Sequence, residues 1–269
     1  MSYLQAIVLG VVQGLTEFLP VSSSGHLILV PHVFGWPDQG QAFDAVMHIG
    51  TLAALIAYFR VELLALVTGA LSRRVALILV AATIPAGLAG LLFGKAIEAN
   101  LRSPLLIAAT TAFWGIVMWI ADRRASAGSQ PADRVGAPAK ADALERVGWA
   151  RGLVVGAAQA LALIPGTSRS GITITAGLFA GLDRPTAARF SFLLGIPITA
   201  AAGFYKLLQL MKTGMPQGET GPLTAAVIAA FVSGWFAVWF LVGYLRRRSL
   251  TPFVIYRLLL AVAILLAVR

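Results

Sequence analysis

Cysteine is absent from all 269 residues, which excludes disulfides, thiolate catalysis and Cys-based metal sites. Charge is scarce: Asp, Glu, Lys and Arg make up 12% of the chain against 58% hydrophobic residues, a balance that soluble domains rarely show. Acidic residues number 11 against 21 basic ones, so a carboxylate inside an apolar stretch stands out. Residues 1–9 lack the basic start and small-residue cleavage site of a signal peptide and are expected to remain in the mature protein.

What is present is apolar sequence, recurring from end to end. Crossing about 30 Å of hydrocarbon takes about 20 apolar residues, and six runs approach that length: 42–59, 75–93, 104–121, 186–204, 222–245 and 252–268. Ahead of each trio lies a pair of shorter pieces, 4–19 with 26–34 and 152–164 with 172–182. Each pair is interrupted by a Ser-rich elbow, Pro20-Val21-Ser22-Ser23-Ser24-Gly25-His26 in one half and Pro165-Gly166-Thr167-Ser168-Arg169-Ser170-Gly171 in the other. Pro20 and Pro165, Gly50 and Gly195, and Phe59 and Phe204 are each 145 residues apart, the mark of a duplication. The expected fold is therefore an all-α integral membrane protein of two repeats, each a re-entrant helical hairpin plus three transmembrane helices. Re-entrant backbone is tolerated at membrane depth where protein or a water-filled cavity surrounds it. Three crossings per repeat make the second inverted relative to the first.

Residues 122–149, rich in Ala, Pro, Gly, Ser and charge, read as a flexible linker between repeat one (1–121) and repeat two (150–269) within a single membrane domain. On this topology 13 Lys and Arg fall on the linker's face, among them Arg60, Arg73, Arg184 and Arg246, against 5 on the other, which are Lys95, Arg102, Lys206, Lys212 and Arg269. Basic loops accumulate in the cytoplasm, so the linker is expected there and both termini outside. The net charge of +10 is explained by these loops and by attraction to anionic lipid; nucleic acid is not expected as a partner.

Polar chemistry concentrates at the elbows. Glu17 lies in an apolar segment and shares a helical face with Gln13, four residues earlier; a carboxylate at mid-membrane costs about 2.5–3.5 kcal/mol and calls for a partner or a task. Ser22, Ser23 and Ser24 have the character of N-cap residues for the helix that follows, and the same helix start offers N–H groups to an anion. His26, three residues after Ser23, is placed to exchange a proton with a hydroxyl or a leaving group. Arg169, among Thr167, Ser168, Ser170 and Gly171, suits either a phosphate cradle or an ion pair with Glu17. Asp44 and His48, four residues apart on the next span, read mainly as structural, with facing the site or helping to bind a cation as the alternatives. Trp114, Trp119, Trp235 and Trp239 read as packing or interfacial anchors.

The run Gln13-Gly14-Leu15-Thr16-Glu17-Phe18-Leu19-Pro20-Val21-Ser22-Ser23-Ser24-Gly25-His26, together with the Pro165 to Gly171 elbow, resembles the two signatures of the bacitracin-resistance type undecaprenyl-diphosphate phosphatases. The similarity extends to length, duplicated apolar pattern and intervening linker. It implies a phosphatase of the bacterial inner membrane, with periplasmic termini, that hydrolyses a polyprenyl diphosphate lipid to the monophosphate used in cell-envelope synthesis. It also implies a divalent cation, Mg or Ca, with Glu17 as a ligand; a homodimer is a further candidate assembly. On this reading Ser23 is the nucleophile, with direct attack by water and Ser23 only binding phosphate as the alternative; His26 manages protons, Glu17 binds metal or supports proton transfer and Arg169 clamps phosphate. Gln13, Ser22, Ser24, Thr167, Ser168, Ser170 and Gly171 position substrate or water. Gln13 leaves Glu17 as the only carboxylate of the first signature, with Asp44 as the candidate second. Inverted repeats with broken helices also describe carriers of lipid-linked or small anionic substrates, and a purely structural membrane component is a third reading.

Overall fold

In the computed structural model, which describes residues 1–37, 40–101, 103–128, 140–213 and 220–267, every regular element is helical. In order these are α1 (Tyr3–Phe18), α2 (Ser23–Phe34), α3 (Gly40–Tyr58), α4 (Arg60–Thr68), α5 (Arg73–Asn100) and α6 (Pro104–Gly128), then α7 (Lys140–Glu145), α8 (Trp149–Ala160), α9 (Arg169–Phe179), α10 (Arg184–Thr213), α11 (Thr220–Tyr244) and α12 (Thr251–Ala267). A single turn of 3-10 helix, Leu161–Leu163, extends α8.

Both expected elbows are breaks in helix, and proline explains where they fall. A proline pushes the preceding residue out of the α region. Leu19, before Pro20, sits at ψ 141°, and Ile164, before Pro165, at ψ 119°. Helix resumes only after a left-handed serine, Ser22 at φ 74° and Ser168 at φ 69°, the positive-φ residues other than Gly among those described. These two serines are 146 residues apart, one more than the prolines, because the second elbow carries an extra residue. Ser22 thus matches Ser168, and Ser23 matches Arg169.

Among the described residues, four helices are long and apolar enough to cross a membrane: α5, α6, α10 and α11. The expected span at 42–59 appears as α3, which meets α4 at a 67° bend, and the two together make a fifth candidate. The expected span at 252–268 appears as α12, 17 residues long, at the lower limit of what crosses. The chain is a multi-pass helical membrane protein, in keeping with side chains such as Leu91, Val80 and Leu259 turned outward.

Each broken pair lodges against helices of the other half: α1 packs on α11, and α8 on α5. Glycine permits both approaches. A Cβ added at Gly10 would lie 2.3 Å from the Ala226 carbonyl oxygen, and one at Gly156 2.2 Å from that of Ala82. The two returning helices differ in their surroundings. α9 is buried continuously from Ser170 to Leu178, whereas α2 buries Gly25, His26, Leu27 and Pro31 and exposes Val33 and Phe34. The main core is aromatic where α1, α10 and the α3–α4 junction meet, with Phe18 edge-on to Phe192 at 5.8 Å and Phe59 beside the same ring.

Part of the expected linker is ordered helix, which corrects the flexible reading of 122–149. Asp122 is buried at the end of α6, pairs with Arg184 of α10 at 2.5 Å and accepts the Leu250 N–H at 3.1 Å. α6 continues to Gly128. Leu144 and Val147 are buried in the main core, and Glu145 accepts from the Ser72 backbone N–H at 2.6 Å and hydroxyl at 2.5 Å. An Ala-rich stretch favours helix once an ion pair and two apolar side chains anchor it. Residues 129–139 of the linker, and Arg102, Arg134 and Arg269 of the charge count, lie outside the described residues. The bonds Asp122–Arg184, Glu62–Arg189 and Ser72–Glu145 gather the ends of α4, α5, α6, α7 and α10 on one face.

Candidate active site

Glu17 occupies the last turn of α1, just before Pro20 ends the helix, and its side chain is only 9% exposed. Helical spacing brings Gln13 beside it, and the Gln13 Nε2 donates to Glu17 Oε2 at 3.3 Å. After the chain reverses, the Ser23 hydroxyl donates to the same oxygen at 3.0 Å. His48 of α3 completes this side. Its Nδ1 donates to the Asp44 carbonyl at 2.8 Å, so in the neutral ring its Nε2 accepts from Gln13 Nε2 at 3.3 Å, and that nitrogen lies 3.6 Å from Glu17 Oε2. The pair read as mainly structural from sequence therefore places His48 in the carboxylate's immediate surroundings.

Arg169, the first residue of α9, reaches Glu17 from the second elbow, its Nη2 donating to Oε1 at 3.2 Å. The ion pair uses a single guanidinium nitrogen. Nε and Nη1 are buried with no hydrogen-bond partner among the described residues. Gly195 of α10 creates the room: a Cβ there would lie 2.0 Å from Arg169 Nη1 and 2.8 Å from its Cζ. Gly50, 145 residues earlier, serves a different contact, against the Val227 carbonyl.

The elbows are tied to each other. Ser24 Oγ accepts the Gly166 N–H at 3.3 Å, and Ser170 Oγ donates to the Leu19 carbonyl at 3.3 Å. Ser22 pairs with Ser24 at 3.1 Å, Ser168 with Ser170 at 3.3 Å, and Ser168 also accepts the Gly171 N–H at 3.2 Å. The hydroxyls of Ser24 and Ser170, expected to contact substrate, are thus engaged in fastening the breaks together. Thr167 is fully buried and its hydroxyl has no partner among the described residues.

Two further residues organise the elbows and escaped the sequence reading. Arg257 of α12, 1% exposed, donates to four backbone carbonyls: Thr111 at 3.0 Å, Gly166 at 2.9 Å, Thr167 at 3.1 Å and Pro20 at 3.4 Å. It satisfies carbonyls that the two breaks leave over, and joins both breaks to α6 and α12. Tyr256, its neighbour, donates to His26 Nε2 at 2.6 Å and stacks on the ring, while His26 Nδ1 donates to the Ser22 carbonyl at 2.7 Å. Both imidazole nitrogens are therefore engaged away from Ser23. This corrects the expectation that His26 exchanges a proton with that hydroxyl: the group bonded to Ser23 is Glu17, because His26 follows Ser22 by one helical turn and points back along the helix. The signal for Arg257 was available, since it is a lone cation within an apolar run.

A cavity of about 410 Å³ opens between the elbows. Its polar wall includes Glu17, Ser23, His48, Asp44, Gln159 and Arg169, while Ile28, Ile107, Leu163 and Ile198 give it an apolar side. Ser22, Ser24 and Ser168 also reach it, whereas Gln13, His26, Thr167, Ser170 and Gly171 stand behind its wall. Among the described residues no cluster of three or more His, Asp or Glu side chains is formed that could hold a metal ion by itself. What the protein offers a hard cation is the Glu17 carboxylate, with Asp44 on the same wall; this suits an ion that arrives with a phosphorylated ligand and keeps phosphate and water oxygens. A nucleophile bonded to a carboxylate beside a guanidinium with spare donors is suited to chemistry on a phosphoryl group.

Comparison with known proteins agrees with this arrangement. The chain is 44% identical to the undecaprenyl-diphosphatase of Teredinibacter turnerae over the full length of both proteins. It is 45% identical to the undecaprenyl-diphosphatase of Hahella chejuensis over 98% of each chain, and 46% identical to undecaprenyl-diphosphatase 2 of Stutzerimonas stutzeri over the same share. The family described as bacitracin resistance protein BacA matches residues 6–263. That match takes in both elbows and reaches from α1 into α12, and the chain belongs to the BacA family.

Proposed function

We propose that this chain hydrolyses undecaprenyl diphosphate to undecaprenyl phosphate and inorganic phosphate, returning the lipid carrier to cell-envelope synthesis. The observation that carries the reading is the meeting of Ser23, Glu17 and Arg169 on the wall of one membrane-embedded cavity. A lipid diphosphate carries about three negative charges, and drawing it into low dielectric requires fixed donors and positive charge. Arg169 Nε and Nη1 supply both, and α2 and α9 begin at Ser23 and Arg169, so the first-turn N–H groups of two helices lie at the same place. The polyprenyl tail stays with the apolar side of the cavity and the surrounding lipid.

In the proposed reaction Ser23 Oγ attacks the terminal phosphorus as its proton passes to Glu17 Oε2. A new O–P bond forms, the bond from that phosphorus to the bridging oxygen breaks, and undecaprenyl phosphate leaves with the oxygen. Water then attacks the phosphoserine, releasing phosphate; Glu17 takes a proton from the water as its own returns to Oγ. Gln13 and His48 hold Glu17 in place, His26 and Tyr256 hold the strained Ser22 and so the register of Ser23, and Arg257 holds the two breaks at a fixed separation. A divalent cation, Mg or Ca, would be held by Glu17 and Asp44 with the substrate, where it would neutralise phosphate charge.

We also read the chain as two inverted repeats with the linker face in the cytoplasm and both termini periplasmic. In support, Asp44 and Ile107 lie near the starts of α3 and α6, and Gly203, also on the cavity wall, lies in the second half of α10. All three positions are toward the ends opposite the linker face, so the cavity on this topology opens toward the periplasm.

Phosphate release from a polyprenyl diphosphate by purified protein in detergent, with and without chelator, tests the reading. Wild type releases phosphate, Arg169→Ala does not, and Arg169→Lys, which keeps the charge without the fork, turns over at least about tenfold more slowly. Acid quenching during turnover traps phosphoserine at Ser23; its absence together with substantial activity in Ser23→Ala would assign attack to water. Transfer of the lipid across a bilayer with no phosphate release would instead favour the carrier reading.

A further inference from the structure

Gln159 of α8 is 2% exposed, lines the cavity, and has no hydrogen-bond partner for either amide atom among the described residues. A buried amide is desolvated on both its donor and acceptor sides, and native structures seldom leave both unmet. The duplication shows why the partners are missing. Gln159 follows Gln13 by 146 residues, the same interval that relates Ser22 to Ser168 and Gly25 to Gly171. Gln13 spends its amide nitrogen on Glu17 and His48, whereas neither interval of the repeat, 145 or 146, gives those two a polar counterpart: Glu17 falls on Ala162 or Leu163 and His48 on Leu193 or Leu194. The second copy has kept the amide and lost its protein partners.

The unmet groups also have a common location. Apart from Arg189 Nε, the buried side-chain atoms without a partner among the described residues belong to Gln159 and Arg169, which line this cavity, and to Gln13 and Thr167, which stand behind its wall. Gln159 enters from its own side: α8 packs on α5 and α9, so the amide comes from the wall that also carries Arg169, across from α1 and Glu17.

Resting on the hydrolase reading above, we infer that Gln159 is a substrate-binding residue for the phosphate that stays on the lipid. The transferred phosphoryl group must touch Ser23, so the second phosphate lies farther from the first elbow. Gln159 Nε2 donates to an oxygen of that second phosphate, and Arg169 bridges the two phosphates through Nε and Nη1. This residue therefore separates a lipid diphosphate from a ligand bearing one phosphate at the Ser23 end.

The experiment uses the full-length chain with Gln159→Leu, of similar volume but apolar, and Gln159→Glu, similar in shape but anionic. Phosphate release and direct binding of a fluorescent polyprenyl diphosphate in nanodiscs are measured together. In Gln159→Leu, KM and Kd rise about tenfold, the effect of one lost hydrogen bond to a charged group, with kcat within threefold of wild type. Gln159→Glu is weaker again. Inhibition by undecaprenyl phosphate falls in step with KM, while inhibition by inorganic phosphate is unchanged, a pattern a merely structural role would not produce. KM and Kd within twofold of wild type in both variants overturn the assignment, as does a loss confined to kcat or one that tracks a fall in thermal stability. Wild type that binds the lipid without releasing phosphate defeats the hydrolase reading separately, and the Kd ratio still decides the role of Gln159.

Discussion

Adding one methyl group at Gly195 should disable the site without unfolding the protein. The Cβ of Gly195→Ala would lie 2.0 Å from Arg169 Nη1 and 2.8 Å from Cζ. Ordinary carbon contacts begin near 3.4 Å, so the guanidinium must withdraw by about 1.4 Å to restore van der Waals separation. What yields is the end of a long side chain, and alanine is favoured over glycine in a helix by about 1 kcal/mol, which offsets part of the cost of separating the buried Glu17–Arg169 pair, so the thermal midpoint should fall without loss of the fold. Withdrawal breaks the 3.2 Å bond to Glu17 and misplaces the two nitrogens reserved for phosphate. A misplacement of about 1 Å in a positioned catalytic group costs on the order of 100-fold in rate, so kcat for phosphate release should fall about 100-fold. Gly87→Ala, whose Cβ would meet nothing within 4 Å, is the matched control and should keep wild-type turnover. Full activity in Gly195→Ala would refute the claim that Arg169 works from the position seen here.

Further expectations follow from other parts of the site. Glu17→Gln and Ser23→Ala should each lower kcat by about 10²–10⁴, with phosphoserine lost in Ser23→Ala and slowed in forming in Glu17→Gln; comparable trapping in wild type and Glu17→Gln would remove Glu17 as the base. Arg257→Met leaves carbonyls of Pro20, Thr111, Gly166 and Thr167 without their donor, and should cost about 3 kcal/mol or more of stability, lowering both the thermal midpoint and kcat. Arg257→Lys, with fewer donors, should recover part of each, and unchanged midpoints in both variants would dismiss the clamp. On the linker face, bonds from the Ser72 hydroxyl and N–H hold the Glu145 carboxyl below its ordinary pKa. Its contribution to stability is therefore present above the unfolded carboxylate range and is lost as pH falls through the lowered folded value. Hydrogen exchange in α7 should accelerate on acidification in wild type but stay insensitive to pH, after correction for intrinsic rates, in Glu145→Gln.

Much of the site was legible because mid-membrane polarity is costly and proline punctuates helices. Glu17 and Arg169 announced themselves as charges in apolar sequence, and Pro20 and Pro165 marked where each helix had to stop. The misreadings have physical causes. His26 lies close to Ser23 along the chain, yet a helix N-terminus turns its ring back toward the Ser22 carbonyl, where Tyr256 from the far end of the chain completes the bonding. His48 and Arg257 matter through partners distant in sequence. Residues 122–128 and 140–145 resemble a loop in composition but are helical because Asp122 finds Arg184 and Leu144 finds the core.

The sequence by itself determined that this chain lives in a membrane, and it marked a recurrence at 145 residues and two serine-rich breaks where helix had to stop. Those conclusions rest on local quantities: transfer cost per residue, the missing N–H of proline and the spacing of a repeat. Tertiary structure alone decided which groups meet. It set Glu17 between Ser23 and Arg169, turned His26 aside, placed Arg257 beneath both breaks and left the Gln159 amide unmet at the cavity wall. Those outcomes depend on helix packing across the two halves, where a glycine against a carbonyl sets the approach to within an ångström, and no local pattern encodes that distance.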